Sequence, residues 1–180
     1  MDHQVQTSES SCRRVLVLLS GGIDSSACIE YYVSRGYEVG ALFVEYGQPD
    51  MDKETAAASA VSNHYGIKLS RLRITGYLPP DGYVPARNSV LLSLALMSAS
   101  FTCGLIAIGV HSGTPYTDCT LDFCSRMQAV FDSYTGGQVQ IDAPFVEWTK
   151  SEIWDYARMH GVPLDLTHSS NPDDLFALSK

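Results

Sequence analysis

The 180-residue chain has the length of one α/β domain, and with 45% apolar and 18% charged residues it reads as globular, not disordered. Twenty acidic against twelve basic side chains give a formal charge of -8, which argues against a general nucleic-acid surface, since that needs a basic field to displace counterions. A small anionic ligand at one local site is still allowed. The five cysteines are irregularly spaced with no CxxC, so neither a disulfide framework nor a closed zinc site is visible, and free thiols fit a reducing cytoplasm. Residues 1–13 lack the apolar run of a signal peptide and read as a flexible polar lead. The most apolar segment, Ser89 to Phe101, is too short and too serine-interrupted to span a bilayer.

Strands and helices alternate along the chain. Val15 to Leu19 is a continuous apolar run, as in a strand buried on both faces. Ser25 to Ser34 is helical and stops at Gly36; Glu38 to Val44 is the second strand. The Ala-rich stretch Asp52 to Tyr65 reads as a helix stopped by Gly66, and Ile67 to Ile74 as a third strand nearer the sheet edge. A Gly- and Pro-rich loop, Thr75 to Val84, leads to Pro85, which suits the first position of a helix running to about Thr102 with Gly104 as its stop. Leu105 to Val110 is strand four, Leu121 to Tyr134 a helix, and Val139 to Ala143 a short fifth strand. Thr149-Lys150-Ser151-Glu152 has capping-box spacing and opens a last helix ending at Gly161, with Pro163 beyond. Such alternation predicts a five-stranded parallel sheet covered by helices on both faces. Ligands then bind beyond the carboxyl ends of the strands, which directs attention to the loops after each strand.

The loop after strand one is Ser20-Gly21-Gly22-Ile23-Asp24-Ser25-Ser26. Two glycines permit positive φ and leave backbone N–H groups open to a phosphate, the following helix offers its positive end, and three serines add hydroxyls. A carboxylate in an anion cradle makes sense where a cation is shared, so Asp24 points to a Mg²⁺-bound polyphosphate. The segment is neither GxxxxGK[ST] nor GxGxxG, which disfavours a Walker site and a dinucleotide fold. A tight turn with Ser and Asp as helix caps is the plain alternative. SGGxDS directly after a strand resembles the ATP-pyrophosphatase (PP-loop) family from about Arg14 to Thr167. That resemblance implies a Rossmann-like, adenine nucleotide alpha hydrolase type of fold and ATP cleavage between the α- and β-phosphates. It also implies a nucleotide held by Ser20 to Ser26 together with Phe43, Val44 and Gly109.

Further segments sharpen the resemblance: Tyr46-Gly47-Gln48 after strand two, Val84-Pro85-Ala86-Arg87-Asn88 after the proline-rich loop, His111 after strand four, and Tyr116-Thr117-Asp118-Cys119 with Phe123 beyond. In this order they resemble the 7-cyano-7-deazaguanine synthase branch of the family. The implied chemistry is adenylation of a deazapurine carboxylate, displacement of AMP by ammonia to give an amide, and a second ATP-driven dehydration to the nitrile. Asp24, Arg87 and Lys150 then carry catalysis, with ATP and Mg²⁺ required. Tyr46, Gln48, Arg87, Asn88, His111, Tyr116, Asp118 and Phe123 would face the substrate. Plain chemistry is compatible with this. Arg87 in the first turn of a helix opposes the macrodipole and makes better sense against an anion, with a solvated surface arginine as the alternative. Asp118 suits the N–H groups of a guanine-like ring, and also suits an N-cap. Lys150 is either a phosphate partner or a solvated helix-start lysine. Tyr46 and Phe123 fit simple packing equally well.

The relatives of this branch carry a C-terminal zinc module, yet in Thr167-His168-Ser169-Ser170-Asn171 serine stands where the first thiolate is expected. Zinc is therefore not expected, and the segment after about residue 163 reads as a divergent tail on a single domain spanning 14–180. Partners are expected to be small molecules, with a homodimer possible. Two rival readings stay open: a nucleotide-binding regulatory or scaffold subunit without turnover, and a tRNA-thiolating PP-loop enzyme.

Overall fold

The structure is a computed structural model and describes residues 13–76, 84–100 and 104–168. The polar lead 1–12, most of the Gly/Pro loop, residues 101–103 of the expected third helix, and the zinc-module segment from Ser169 onward lie outside the described residues. The elements follow one another as β1 (Arg14–Leu18), α1 (Ile23–Val33), β2 (Glu38–Glu45), α2 (Met51–His64), β3 (Lys68–Arg73), α3 (Arg87–Ser98), β4 (Gly104–Ile108), α4 (Leu121–Thr135), β5 (Val139–Asp142) and α5 (Lys150–Met159). The five strands form one sheet in the order β3-β2-β1-β4-β5, and every pairing is parallel.

The period of two along each strand explains how both faces become core. Val15, Val17 and Leu19 of β1 and the residue after it, with Ala41 and Phe43 of β2 and Ala107 of β4, face α1 and α5 in one apolar cluster. Leu18, Leu42, Val44, Ile106 and Ile108 face the other way, toward Leu92 and Ala95 of α3 and Phe131 of α4. The central strands are largely covered on both faces, with Leu16 and Leu105 only half-buried, so the runs read as nearly continuous apolar. The expected edge position of the third strand is observed, and its half-exposed pattern follows from it.

Three boundaries differ from the sequence reading. The third helix, expected to run to about Thr102, ends at Ser98, because Ala99 turns extended at φ -63° and ψ 128°. Pro85 does not open α3: the Arg87 N–H donates to the Val84 carbonyl at 3.2 Å, and Ala86 adopts φ 60° and ψ 19°. Pro85 thus takes the second position of a turn, where its fixed φ is equally at home. Gly104, expected as a helix stop, is the first residue of β4. The order of strands reverses between β1 and β4, so their carboxyl ends splay apart and leave the crevice in which open α/β sheets bind ligands.

Candidate active site

The loop leaving β1 makes a tight passage into α1. Gly21 has φ 81°, and a Cβ there would lie 2.8 Å from the Ala57 Cβ and the Ala58 nitrogen and 2.9 Å from the Glu54 carbonyl oxygen. Only glycine fits, because the loop lies against the first turns of α2. Gly22 is different: at φ -77° and ψ 165° it is extended and not left-handed. As the N-cap of α1 it has no side chain to occupy the helix end, whereas α4 and α5 are capped by the Thr120 and Thr149 hydroxyls. The start of α1 thus lies at the crevice end of the sheet, with the Gly22 N–H donating to the Ser20 hydroxyl at 3.4 Å.

The serines stabilise this loop from within. The Ser25 hydroxyl donates to the Gly22 carbonyl at 3.0 Å and accepts the Ser20 N–H at 3.2 Å, with the Ser20 hydroxyl 3.1 Å away. Ser26 is fully buried and its hydroxyl donates to the Gly22 carbonyl at 2.9 Å. Ile23 is also fully buried, its side chain in the core. Gly109, at the end of β4, closes the passage from the other side. A Cβ on it would stand 2.8 Å from the Asp24 carbonyl and 2.9 Å from the Ser25 nitrogen.

Asp24 sits in the first turn of α1, where an anion is favoured. Its Oδ1 accepts from Lys150 Nζ at 2.6 Å across 126 residues of sequence, and its Oδ2 lies 3.9 Å from His111 Nε2. The reciprocal Thr149–Glu152 capping box fixes the start of α5 and so aims Lys150 at the loop. His111 accepts the Gly113 N–H at Nδ1 (3.2 Å), which leaves its proton on Nε2 toward Asp24. Burial pushes the His111 imidazole below its ordinary value; Asp24 opposes that shift and Lys150 reinforces it.

Beside this loop a cavity of about 210 Å³ opens between the ends of β1, β2 and β4 and the start of α3. Ser20, Ser25, Phe43, Val44 and Gly109 line it, as do Tyr46, Gln48, Arg87 and Asn88. The remaining residues singled out in the sequence do not line it. Gln48 is buried, and its amide is fully engaged by the Val44 carbonyl, the Tyr46 N–H and the Glu54 carboxylate of α2. Asn88, 2% exposed, donates from Nδ2 to the Asp118 carbonyl at 3.0 Å, while its backbone N–H donates to Asp118 Oδ2 at 3.3 Å. Asp118 therefore docks the start of α3 against the turn Thr117–Cys119. Tyr116 is 46% exposed, and Phe123 packs on the core beneath α3 and α4. Among the polar residues that line it, one escaped the sequence reading: Glu54, which looks like an ordinary first-turn acid of an Ala-rich helix.

Residues 14–78 and 73–174 match the model of the family described as Queuosine biosynthesis protein QueC. The chain belongs to the QueC family. This is a family of enzymes, and the relatives of this QueC-family chain carry an enzyme's name. A 7-cyano-7-deazaguanine synthase of Haloarcula marismortui is 34% identical over 89% of this chain and 82% of its own length. One from Campylobacter jejuni subsp. doylei is 30% identical over 87% and 84% respectively. Among solved structures, an NH3-dependent NAD synthetase from Campylobacter jejuni superposes with a TM-score of 0.53 at 18% identity, over 94% of this chain and 76% of that one. A predicted subunit of tRNA methyltransferase from Methanocaldococcus jannaschii gives 0.53 at 14% identity, over 88% and 93%. These two likenesses show the fold, which is the Rossmann-like parallel sheet expected from the sequence. Among the described residues no helix is long and apolar enough to cross a membrane.

Proposed function

We propose that this QueC-family chain is an ATP-dependent, AMP-forming ligase. It adenylates the carboxylate of 7-carboxy-7-deazaguanine, or of a related deazapurine acid, and uses ammonia to make the amide and then the nitrile. The observation that carries the reading is the junction of the Ser20–Ser26 loop at the start of α1, the Asp24–Lys150 pair and an adjoining cavity with Arg87 on its wall.

The roles follow from charge and position. The loop Ser20 to Ser26 and the α1 N-terminus receive the polyphosphate, while Phe43, Val44 and the apolar cavity wall receive the nucleoside. The Asp24 carboxylate is a hard oxygen donor beside that phosphate site and so fits Mg²⁺, which when bound shields polyphosphate charge. Lys150 and Arg87 supply fixed positive charge where pyrophosphate departs and where the substrate acid approaches. In the first step a carboxylate oxygen attacks the α-phosphorus and pyrophosphate leaves. In the second, ammonia attacks the acyl carbon and AMP leaves. No side-chain nucleophile is needed, and orientation supplies much of the rate. Asn88, Gln48 and Asp118 serve in this reading by shaping the site, and Tyr116, Phe123 and His111 by bordering the substrate end. The same reading takes residues 14–180 as one ATP-binding domain acting on small molecules in the cytoplasm without structural zinc.

Product analysis tests it. Incubation with ATP, Mg²⁺, ammonium and 7-carboxy-7-deazaguanine is expected to yield AMP, pyrophosphate and a product one nitrogen richer, read by mass spectrometry. ADP as the nucleotide product overturns it. ATP binding with no AMP from this acid assigns the chain to the regulatory-subunit reading instead.

A further inference from the structure

Glu54 is the acid among the described residues lining the cavity, and Arg87 the base. Glu54 touches both the loop that leaves β1 and, through Gln48, the carboxyl end of β2, strands already paired at Leu18 and Leu42. On one side its backbone carbonyl lies against Gly21, so close that a Cβ on that glycine would come within 2.9 Å. On the other, its Oε2 accepts from Gln48 Nε2 at 2.9 Å. Gln48 in turn donates to the Val44 carbonyl at 3.2 Å and accepts the Tyr46 N–H at 2.9 Å on Oε1. Both amide hydrogens of the buried Gln48 are thereby spent, which leaves it no donor for a ligand. The chain of contacts runs from the phosphate-side loop, through one residue of α2, to the carboxyl end of β2 at Val44 and to Tyr46 just after it.

We propose that Glu54 is a positioning residue that fixes the cavity wall where β2 ends, holding Val44 and Tyr46 through Gln48 while its own backbone rests on Gly21. This deepens the reading of the cavity as the nucleotide site and rests on it. A hydrogen-bonded side chain that is fixed at both ends fixes the wall a purine nucleoside must fit, whereas the polyphosphate is held by the loop alone. Removing the carboxylate should therefore affect the nucleoside end selectively.

The test compares Glu54→Ala with Glu54→Gln, whose side-chain carbonyl can still accept from Gln48. Amide exchange followed by NMR on the free protein reads the end of β2 without any nucleotide. In Glu54→Ala the Tyr46 amide should exchange roughly tenfold faster while the Leu16 amide, in the centre of the sheet, keeps its rate; Glu54→Gln should restore Tyr46. By calorimetry Glu54→Ala should weaken ATP roughly three- to tenfold, leave inorganic tripolyphosphate unchanged, and regain ATP affinity in Glu54→Gln. An unchanged Tyr46 amide in Glu54→Ala overturns the proposal. So does equal acceleration of Tyr46 and Leu16, equal loss of ATP and tripolyphosphate, or failure of Glu54→Gln to recover. If the wild-type chain binds no ATP, the nucleotide reading falls, and the Tyr46 exchange alone still decides whether Glu54 holds the end of β2.

Discussion

Gly21 and Gly22 are neighbours of the same type, but they meet different demands. Gly21 is left-handed and pressed on α2; Gly22 is extended, in a conformation open to any residue. Because Gly22 is the N-cap of α1, where alanine is worse than glycine, Gly22→Ala should cost roughly 0.5–1 kcal/mol in thermal unfolding. Gly109→Ala should differ: its Cβ would fall 2.8 Å from the Asp24 carbonyl, which forces the first turn of α1 to move. About 1–3 kcal/mol of stability should be lost by thermal unfolding, together with ATP binding. His111 makes a pH prediction. Held below its ordinary value of 6.5 mainly by burial, it is neutral in the fold but protonates on unfolding. Its contribution is complete above 6.5 and is lost as pH falls through its lowered folded value, because the unfolded chain then binds the extra proton. In melting curves taken from about pH 8 down to about pH 5, His111→Asn should flatten that segment of the profile.

At the scale of elements, α5 shows how a local signal becomes a placement. The Thr149-Lys150-Ser151-Glu152 pattern forms the reciprocal box expected of it, with Glu152 Oε2 accepting the Thr149 N–H at 2.7 Å. Thr149→Ala should cost about 1 kcal/mol in chemical denaturation. It should also slow turnover more than it weakens ATP, since the residue displaced is Lys150; Thr149→Ser should recover both. The entry to α3 was less legible. Val84-Pro85-Ala86-Arg87 satisfies a helix start and a turn alike, because a fixed proline φ serves both. What decides for the turn is the docking of Asn88 on Asp118, thirty residues downstream. That contact sets where α3 begins and so where Arg87 points.

Over the whole molecule, the Asp24–Lys150 pair links α1 to α5. Both side chains are about a quarter to a third exposed, so the pair adds little stability but places a cation beside the Ser20–Ser26 loop. Lys150→Ala should therefore fold normally and lose about a hundredfold in kcat, measured as AMP release under saturating ATP, with partial recovery in Lys150→Arg. Normal turnover in Lys150→Ala would remove this lysine from the site.

The amino-acid sequence alone determined the alternation of strands and helices, the parallel sheet and the glycine-serine loop after β1, because each is written in neighbouring residues as apolar period, turn chemistry and capping. Nothing local told Gln48 from a ligand contact, Asp118 from a free acceptor, or Glu54 from any other first-turn acid. Those roles depend on which side chains the folded sheet brings opposite one another, over separations from a few residues to more than a hundred. Only the tertiary structure decided them, since a hydrogen bond is set by the position of its partner and not by the type of the residue that makes it.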